Sequence, residues 1–373
     1  MVNTHDSRHR LDATIVEHSL DALVASSPPN VCYASGTYFV TMKTVPDRTA
    51  FVVATGSEAP TFVYCTIEHG HATEESWLSD LVGYTEFADE PIEVLARVLR
   101  EKGVGAGRIG IEFRNLCARD LQILAAELPD ADLVPADAIF DDVRAVKSAE
   151  EIEILGAAAK NTDAAIRAAF EGAALGHTGI MVADAMITTA KSYGAEKLLH
   201  QTMAVGPEGF KVHAAASNRQ LVEGDVLRTD FGMSWPGHYL SDVARTAFVG
   251  KVAPAQRDLH GRLEEVHQGI IAFMKPGVVA ADVFAHAQKL FGGVGVNFDF
   301  PHVGHSIGLG LHENPMMHPF DHTVLRAGMV FMIEPLVVGE DGIYHVEDMV
   351  VVTETGSDVL SRSADWSAPM VVG

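Results

Sequence analysis

The chain has 373 residues, 47% hydrophobic and 21% charged, with Lys+Arg 27 against Asp+Glu 50 and a formal charge of −23. That is enough for two globular domains, and a chain of this size buries most of its unfolded surface without needing a disulfide or a metal to fold. The acidic balance argues against a nucleic-acid partner, which would want a basic stripe, and it leaves carboxylates free to gather around cations.

The opening stretch, Met1 to Arg10, is polar and lacks the apolar core of a signal peptide. No run approaches the ~18 apolar residues of a membrane span. Three cysteines, Cys32, Cys65 and Cys117, are odd in number and form no CxxC. They are expected as small apolar residues in a reducing compartment, not as a disulfide framework or a zinc site. These features predict a cytoplasmic protein with no membrane partner.

Apolar runs at Ala22–Ala25, Ala50–Ala54, Phe62–Cys65 and Ile109–Phe113 have strand length and β-branched content. Pro91–Lys102 and Cys117–Leu128 carry helical spacing. An α/β domain of mixed order is expected. The pattern changes around Asp141–Glu153. Ser148 followed by Glu150 and Glu151 reads as an N-cap with acids in the first turn. It opens an Ala-rich helix to about Gly172. The boundary is expected at 147, giving domains 1–147 and 148–373.

The second domain carries a faint repeat. Ala183-Asp184 is followed by Lys191 and Gly194, and Ala281-Asp282 by Lys289 and Gly292, at the same offsets. Each copy precedes a hairpin pattern. The first is Asp225–Met233 with Tyr239–Val249, turned through Trp235-Pro236-Gly237-His238; the second is Met329–Val338 with Ile343–Val352, turned through Gly339–Gly342. Two helix–helix–hairpin halves predict a pseudo-twofold domain with a site at its centre.

Both hairpins place acids in apolar surroundings: Asp230 and Asp242 in the first, Glu334 and Glu347 in the second. A lone carboxylate in a strand usually faces solvent. The flanks here, Met329–Ile333 and Val350–Val352, show no polar alternation, so the strands are expected to be buried on both faces. Buried carboxylates need a partner or a cation. Four carboxylates alone would suit magnesium or calcium. His305, in the Gly-rich run Pro301–Glu313, adds an imidazole and shifts the preference toward manganese, iron, cobalt or zinc.

Three motif matches fail on context. Gly105-Ala-Gly107-Arg-Ile-Gly110 has a helix before it and a strand after it, the reverse of a dinucleotide fingerprint. Gly304-His-Ser306-Ile-Gly308 lacks the helix that must follow a nucleophile elbow. His312-Glu313 has Met at 316 and Pro at 315, so it is not a helical zinc motif.

With these residues in place, the chain resembles the pita-bread hydrolases, the family of creatinase, prolidase, aminopeptidase P and methionine aminopeptidase. Pro29–Gly36 and the joining word Val143-Arg144-Ala145-Val146-Lys147-Ser148 resemble a creatinase-type N-domain. Asp230, Asp242, His305, Glu334 and Glu347 match the five-ligand pattern in order. The resemblance implies an α/β N-terminal domain and an α+β pita-bread catalytic domain with pseudo-twofold halves. It implies two divalent ions, manganese, cobalt, zinc or iron. Asp230 would chelate one, Asp242 and Glu347 would bridge, and His305 and Glu334 would complete the other. His213, 17 residues before Asp230, and His312, 7 after His305, match positions of substrate-facing histidines. Two such ions activate water and polarise a carbonyl. Glu334 would move the proton, His312 would stabilise the oxyanion, and His213 would contact the amide.

Three departures concern the substrate end. The Asp230–Asp242 gap is one longer than the usual eleven. The arginine usually found two before the last glutamate is His345, and the histidine usually found four before the ligand histidine is displaced to His302. A carboxylate clamp must therefore come from elsewhere. Arg48, in Val45-Pro46-Asp47-Arg48, is the candidate, since the resemblance implies a homodimer in which an N-domain closes its neighbour's site. The reading is a dinuclear metal-dependent hydrolase of a C–N bond, resembling Xaa-Pro dipeptidase. The alternatives are a non-peptidase of the same fold acting on a small nitrogenous acid, as creatinase or ectoine hydrolase does, a lyase, or an inactive binding module.

Overall fold

The computed structural model describes residues 4–373 except Pro46 and Ser57. Met1–Asn3 of the polar opening stretch, and Pro46 beside Arg48, lie outside the described residues. The chain divides into two compact units, 1–144 and 145–373.

In the first unit, six short strands form one mixed sheet: β1 (Ala22–Ala25), β2 (Phe51–Ala54), β3 (Thr61–Cys65), β4 (Asp80–Tyr84), β5 (Arg108–Ile111) and β6 (Asp132–Pro135). Their order is β4-β3-β2-β1-β5-β6. β1 pairs antiparallel with β2 and parallel with β5. The helix Pro91–Glu101 buries Ile92, Leu95, Ala96 and Leu99. That spacing is one helical stripe, and it packs with Phe51, Val63 and Ile109 of the sheet.

In the second unit the helix Ala149–Glu171 opens on a capping box. The Ser148 hydroxyl accepts from the Glu151 amide at 3.2 Å, and the Glu151 carboxylate accepts from the Ser148 amide at 2.8 Å. Two of the helix's unpaired amides are thereby satisfied. The helix Gly179–Ser192 follows it. After these come β7 (Lys197–Val205), β8 (Val226–Ser234) and β9 (Val243–Val249). The second half repeats the plan with helices Pro254–Phe273 and Ala280–Gly293. It continues with β10 (Gly304–Ser306), β11 (Glu313–Met316), β12 (Val330–Ile333), β13 (Leu336–Val338), β14 (Ile343–His345), β15 (Asp348–Val352) and β16 (Ser357–Val359). A last strand, β17 (Met370–Val372), returns to pair parallel with β9.

The two main sheets have orders β17-β9-β8-β7 and β11-β10-β12-β15-β16. Each half has its own core. Ile166, Phe170, Met186 and Phe231 belong to the first; Ile270, Phe291, Phe331 and Val350 belong to the second. Burying each such side chain contributes roughly 1.5–3 kcal/mol. The Glu347 amide donates to the Ala244 carbonyl at 3.1 Å, so the run before β15 lies against β9 and the two halves share a seam.

The second hairpin differs from its expected form. It is interrupted on both arms, and only β12 and β15 belong to the main sheet, while β13 and β14 form a separate pair. Pro335 follows β12 and has no amide to give to a ladder. The expectation that all four acids sit within strands is corrected accordingly. Asp230 lies inside β8, but Asp242 immediately precedes β9, Glu334 immediately follows β12, and Glu347 immediately precedes β15. A strand end frees a side chain from strict alternation, which lets three acids turn toward one point. The extra residue in the first hairpin is taken up by a 3-10 turn at Pro236–His238, with Gly237 and His238 both at positive φ.

Candidate metal centre

The acids converge. Asp242, His305 and Glu347 are 4%, 0% and 1% exposed, and they offer ligand atoms within 4.8 Å of one another. Asp230 and Glu334 are half-buried beside them. Glu334 Oε1 lies 3.5 Å from His305 Nε2, and Asp242 Oδ2 lies 3.9 Å from the same nitrogen.

The His305 tautomer follows from its neighbours. Its Nδ1 is 3.0 Å from the Ser306 carbonyl oxygen, which can only accept. Nδ1 therefore carries the proton and Nε2 presents a lone pair toward two carboxylates. Burial holds His305 down to about 3. A lone pair facing carboxylate oxygens repels them unless a cation lies between. Glu334 Oε1, both Glu347 carboxylate oxygens and His305 Nε2 are all buried without a hydrogen-bond partner. Such orphaned atoms are costly. As carboxylate oxygens and an imidazole nitrogen, they are the donors that divalent metals take, so the residues fit the ions the fold family implies.

Burial pushes Glu347 and Glu334 well above the ordinary carboxylate range, and Asp242 and Asp230 add repulsion. Burial likewise raises Asp242, to about 6. Asp230 moves the other way: burial would raise it, but its bond to His200 and the nearby imidazoles hold it low.

The remaining sequence candidates divide. His302 Nδ1 lies 3.4 Å from Glu334 Oε1, and the buried His345 has Nε2 4.0 Å from Glu334 Oε2, so both flank that carboxylate. The His312 ring stacks on His305 with centroids 3.9 Å apart. His213 is exposed, in the turn before β8, and adds to the lowering that burial imposes on His312. Arg48 belongs to the first unit, where its Nε and Nη2 donate to the two oxygens of Glu86 at 2.8 and 3.0 Å. The rejected elbow stays rejected. Ser306 is fully buried in β10, donates to the Val330 carbonyl at 3.0 Å and accepts from Lys147 Nζ at 2.9 Å. Glu313 of the rejected zinc motif lies on a strand and forms a buried ion pair with Lys147 at 3.3 Å.

Two features escaped the sequence reading. His200, on β7, has Nε2 2.8 Å from Asp230 Oδ1 and 3.0 Å from Asp242 Oδ1. Its only sequence signal is Gly232, a glycine in an otherwise bulky strand, which marks a close approach. The second is the buried arginine Arg245. Its Nη2 lies 2.7 Å from both Asp163 and Asp348.

The comparisons with known proteins agree with this geometry. Residues 153–354 match the model of metallopeptidase family M24, and residues 8–146 match the creatinase/prolidase N-terminal domain. The Xaa-Pro dipeptidase of Pyrococcus furiosus is 31% identical over 350 residues, 93% of this chain and 95% of that protein. The prolidase structure from Pyrococcus horikoshii superposes with a TM-score of 0.82 at 27% identity, over 96% of this chain and 99% of that one. A dipeptidase structure from Mycobacterium ulcerans gives 0.86 at 26% identity, over 100% and 99%. The fold is therefore the pita-bread fold with a creatinase-type N-terminal domain. Clustered orphaned carboxylates around a neutral imidazole, in that fold, make the chain a member of metallopeptidase family M24 and a hydrolase that depends on divalent metal.

Proposed function

We propose that the protein is a dipeptidase that cleaves the bond before proline in Xaa-Pro substrates, using two divalent ions. The observation that carries the metal reading is the lone pair of His305 Nε2 directed at the carboxylates of Glu334 and Asp242. The substrate reading is supported by the named relatives, two of which are an Xaa-Pro dipeptidase and a prolidase.

In this reading Asp230 would hold one ion, Asp242 and Glu347 would be shared, and His305 and Glu334 would complete the second. Such ions supply an activated water and polarise the scissile carbonyl. Glu334 takes the proton of the attacking water and returns it to the leaving nitrogen. His312 donates toward the oxyanion that develops on the carbonyl, and His213 contacts the amide side. His302 and His345, flanking Glu334, line the substrate end. Arg48 binds the substrate's carboxylate from a partner subunit, exchanging its pairing with Glu86 for the ligand. The ions are manganese, cobalt, zinc or iron, which suit mixed carboxylate and imidazole donors. The protein works as a homodimer in the cytoplasm, consistent with three cysteines that form no disulfide with one another. Among the described residues no helix is long and apolar enough to cross a membrane.

The test is metal analysis of purified protein followed by turnover of Xaa-Pro dipeptides, creatine and ectoine. Cleavage of the dipeptides alone supports the reading. Turnover of creatine or ectoine with no dipeptide cleavage overturns it in favour of a non-peptidase hydrolase. Sedimentation measures the oligomer, and a monomer would remove the role given to Arg48.

A further inference from the structure

We propose that His200 is a further metal ligand, so that each ion of the pair has one imidazole: His200 joins Asp230 on one side, His305 joins Glu334 on the other, and Asp242 and Glu347 are common to both. This rests on the two-ion reading above and adds to it a residue outside the five-ligand pattern.

The local geometry is built for the purpose. His200, Asp230 and Asp242 form a second group whose ligand atoms lie within 4.8 Å of one another, and Asp242 is common to both groups. Asp242 presents Oδ1 to His200 at 3.0 Å and Oδ2 to His305 at 3.9 Å, as a shared carboxylate must. The register of β7 on β8 slips between Leu198 and His200, a bulge that re-aims the side chain. His200 then lies opposite Gly232, two residues beyond Asp230 on β8. A Cβ at 232 would clash with Cε1 of the His200 ring and lie 2.6 Å from its Nδ1 and 2.7 Å from the Ser241 carbonyl oxygen. Only glycine leaves that space. Nδ1 itself is buried without a partner, so Nε2 is the engaged nitrogen, and the bulge and Gly232 set the ring's position. A second imidazole also biases the pair away from magnesium and toward manganese, cobalt, zinc or iron.

The experiment titrates metal-free protein with cobalt(II), reading stoichiometry and affinity by calorimetry and the imidazole scattering at the cobalt edge by X-ray absorption. Wild type is expected to take two ions with one imidazole each. His200→Ala is expected to keep one ion at wild-type affinity. The other should weaken by more than the ~10–100-fold typical of a residue that only orients a ligand, and imidazole scattering should fall by half at saturation. His200→Gln gives the same readout if the alanine variant folds poorly, and Gly232→Ala, which displaces the ring without deleting it, should reproduce the loss. Two ions bound at unchanged affinity with unchanged imidazole scattering in His200→Gln would overturn the assignment and leave the two-ion reading standing. Wild type binding fewer than two ions would overturn both.

Discussion

Arg245 donates from Nη1 to the main-chain oxygen of Glu347 at 2.6 Å, so a fully buried cation holds the backbone that carries one of the converging acids. The same guanidinium donates through Nε to Asp163 at 2.8 Å and through Nη2 to Asp348 at 2.7 Å. Asp163 also accepts from Ser363 and Trp366, and Asp348 from Ser361 and Arg362. Every member is satisfied, which makes such a network rigid and its interruption costly. Arg245→Met strands two buried aspartates and is expected to lower unfolding stability by about 3–5 kcal/mol. Urea denaturation measures it, and a loss below about 1 kcal/mol would show that the network does not hold the seam.

Glu334→Gln keeps the side chain's size and one oxygen but cannot accept a proton. Turnover is expected to fall 10²–10⁴-fold, with metal content by elemental analysis unchanged. Normal turnover in the metal-loaded variant would reduce Glu334 to a ligand.

Chelation should abolish activity and lower the melting temperature, because the clustered carboxylates then repel one another. At an ion concentration 100-fold above Kd each bound ion contributes about 2.7 kcal/mol, or roughly 5–10 °C per ion for a unit of this size. Calorimetric scans with and without chelator test this. Full activity in exhaustively metal-free protein would sink the hydrolase mechanism.

A pH effect arises away from the centre. His260 is buried against Phe248, and burial lowers it to about 4. Unfolded, it titrates near 6.5. The unfolded state therefore binds the extra proton between pH 6.5 and 4, so stability is full above 6.5 and is lost as pH falls toward 4. His260→Gln should flatten the fall in melting temperature over that window by the equivalent of about 1–3 kcal/mol. An identical pH profile in the variant would assign the acid sensitivity to other groups.

Arg48→Ala should raise KM for a carboxylate-bearing substrate while leaving metal content unchanged, since a paired guanidinium is a fixed carboxylate clamp. An unchanged KM would leave Arg48 as the structural partner of Glu86 alone.

The helices at Pro91–Glu101, Ala118–Glu127 and Ala149–Glu171 and the strands of the first hairpin were legible because their information is local. Ser148 and Glu151 cap one helix through neighbours three residues apart, and the stripe from Ile92 to Leu99 needs only helical period. The four acids and His305 stood out because charge in an apolar flank requires a compensating partner wherever the chain places it. Tertiary structure decided the rest. His200 gives no such signal, since histidine is ordinary in a half-buried strand; it joins the centre only because a bulge in β7 and the bare Gly232 bring it onto Asp230 and Asp242. Arg245 reads in sequence as one polar residue in a strand. Its partners Asp163 and Asp348 lie 82 and 103 residues away, and long-range pairings of charge are set by how the two halves meet, which no local pattern encodes.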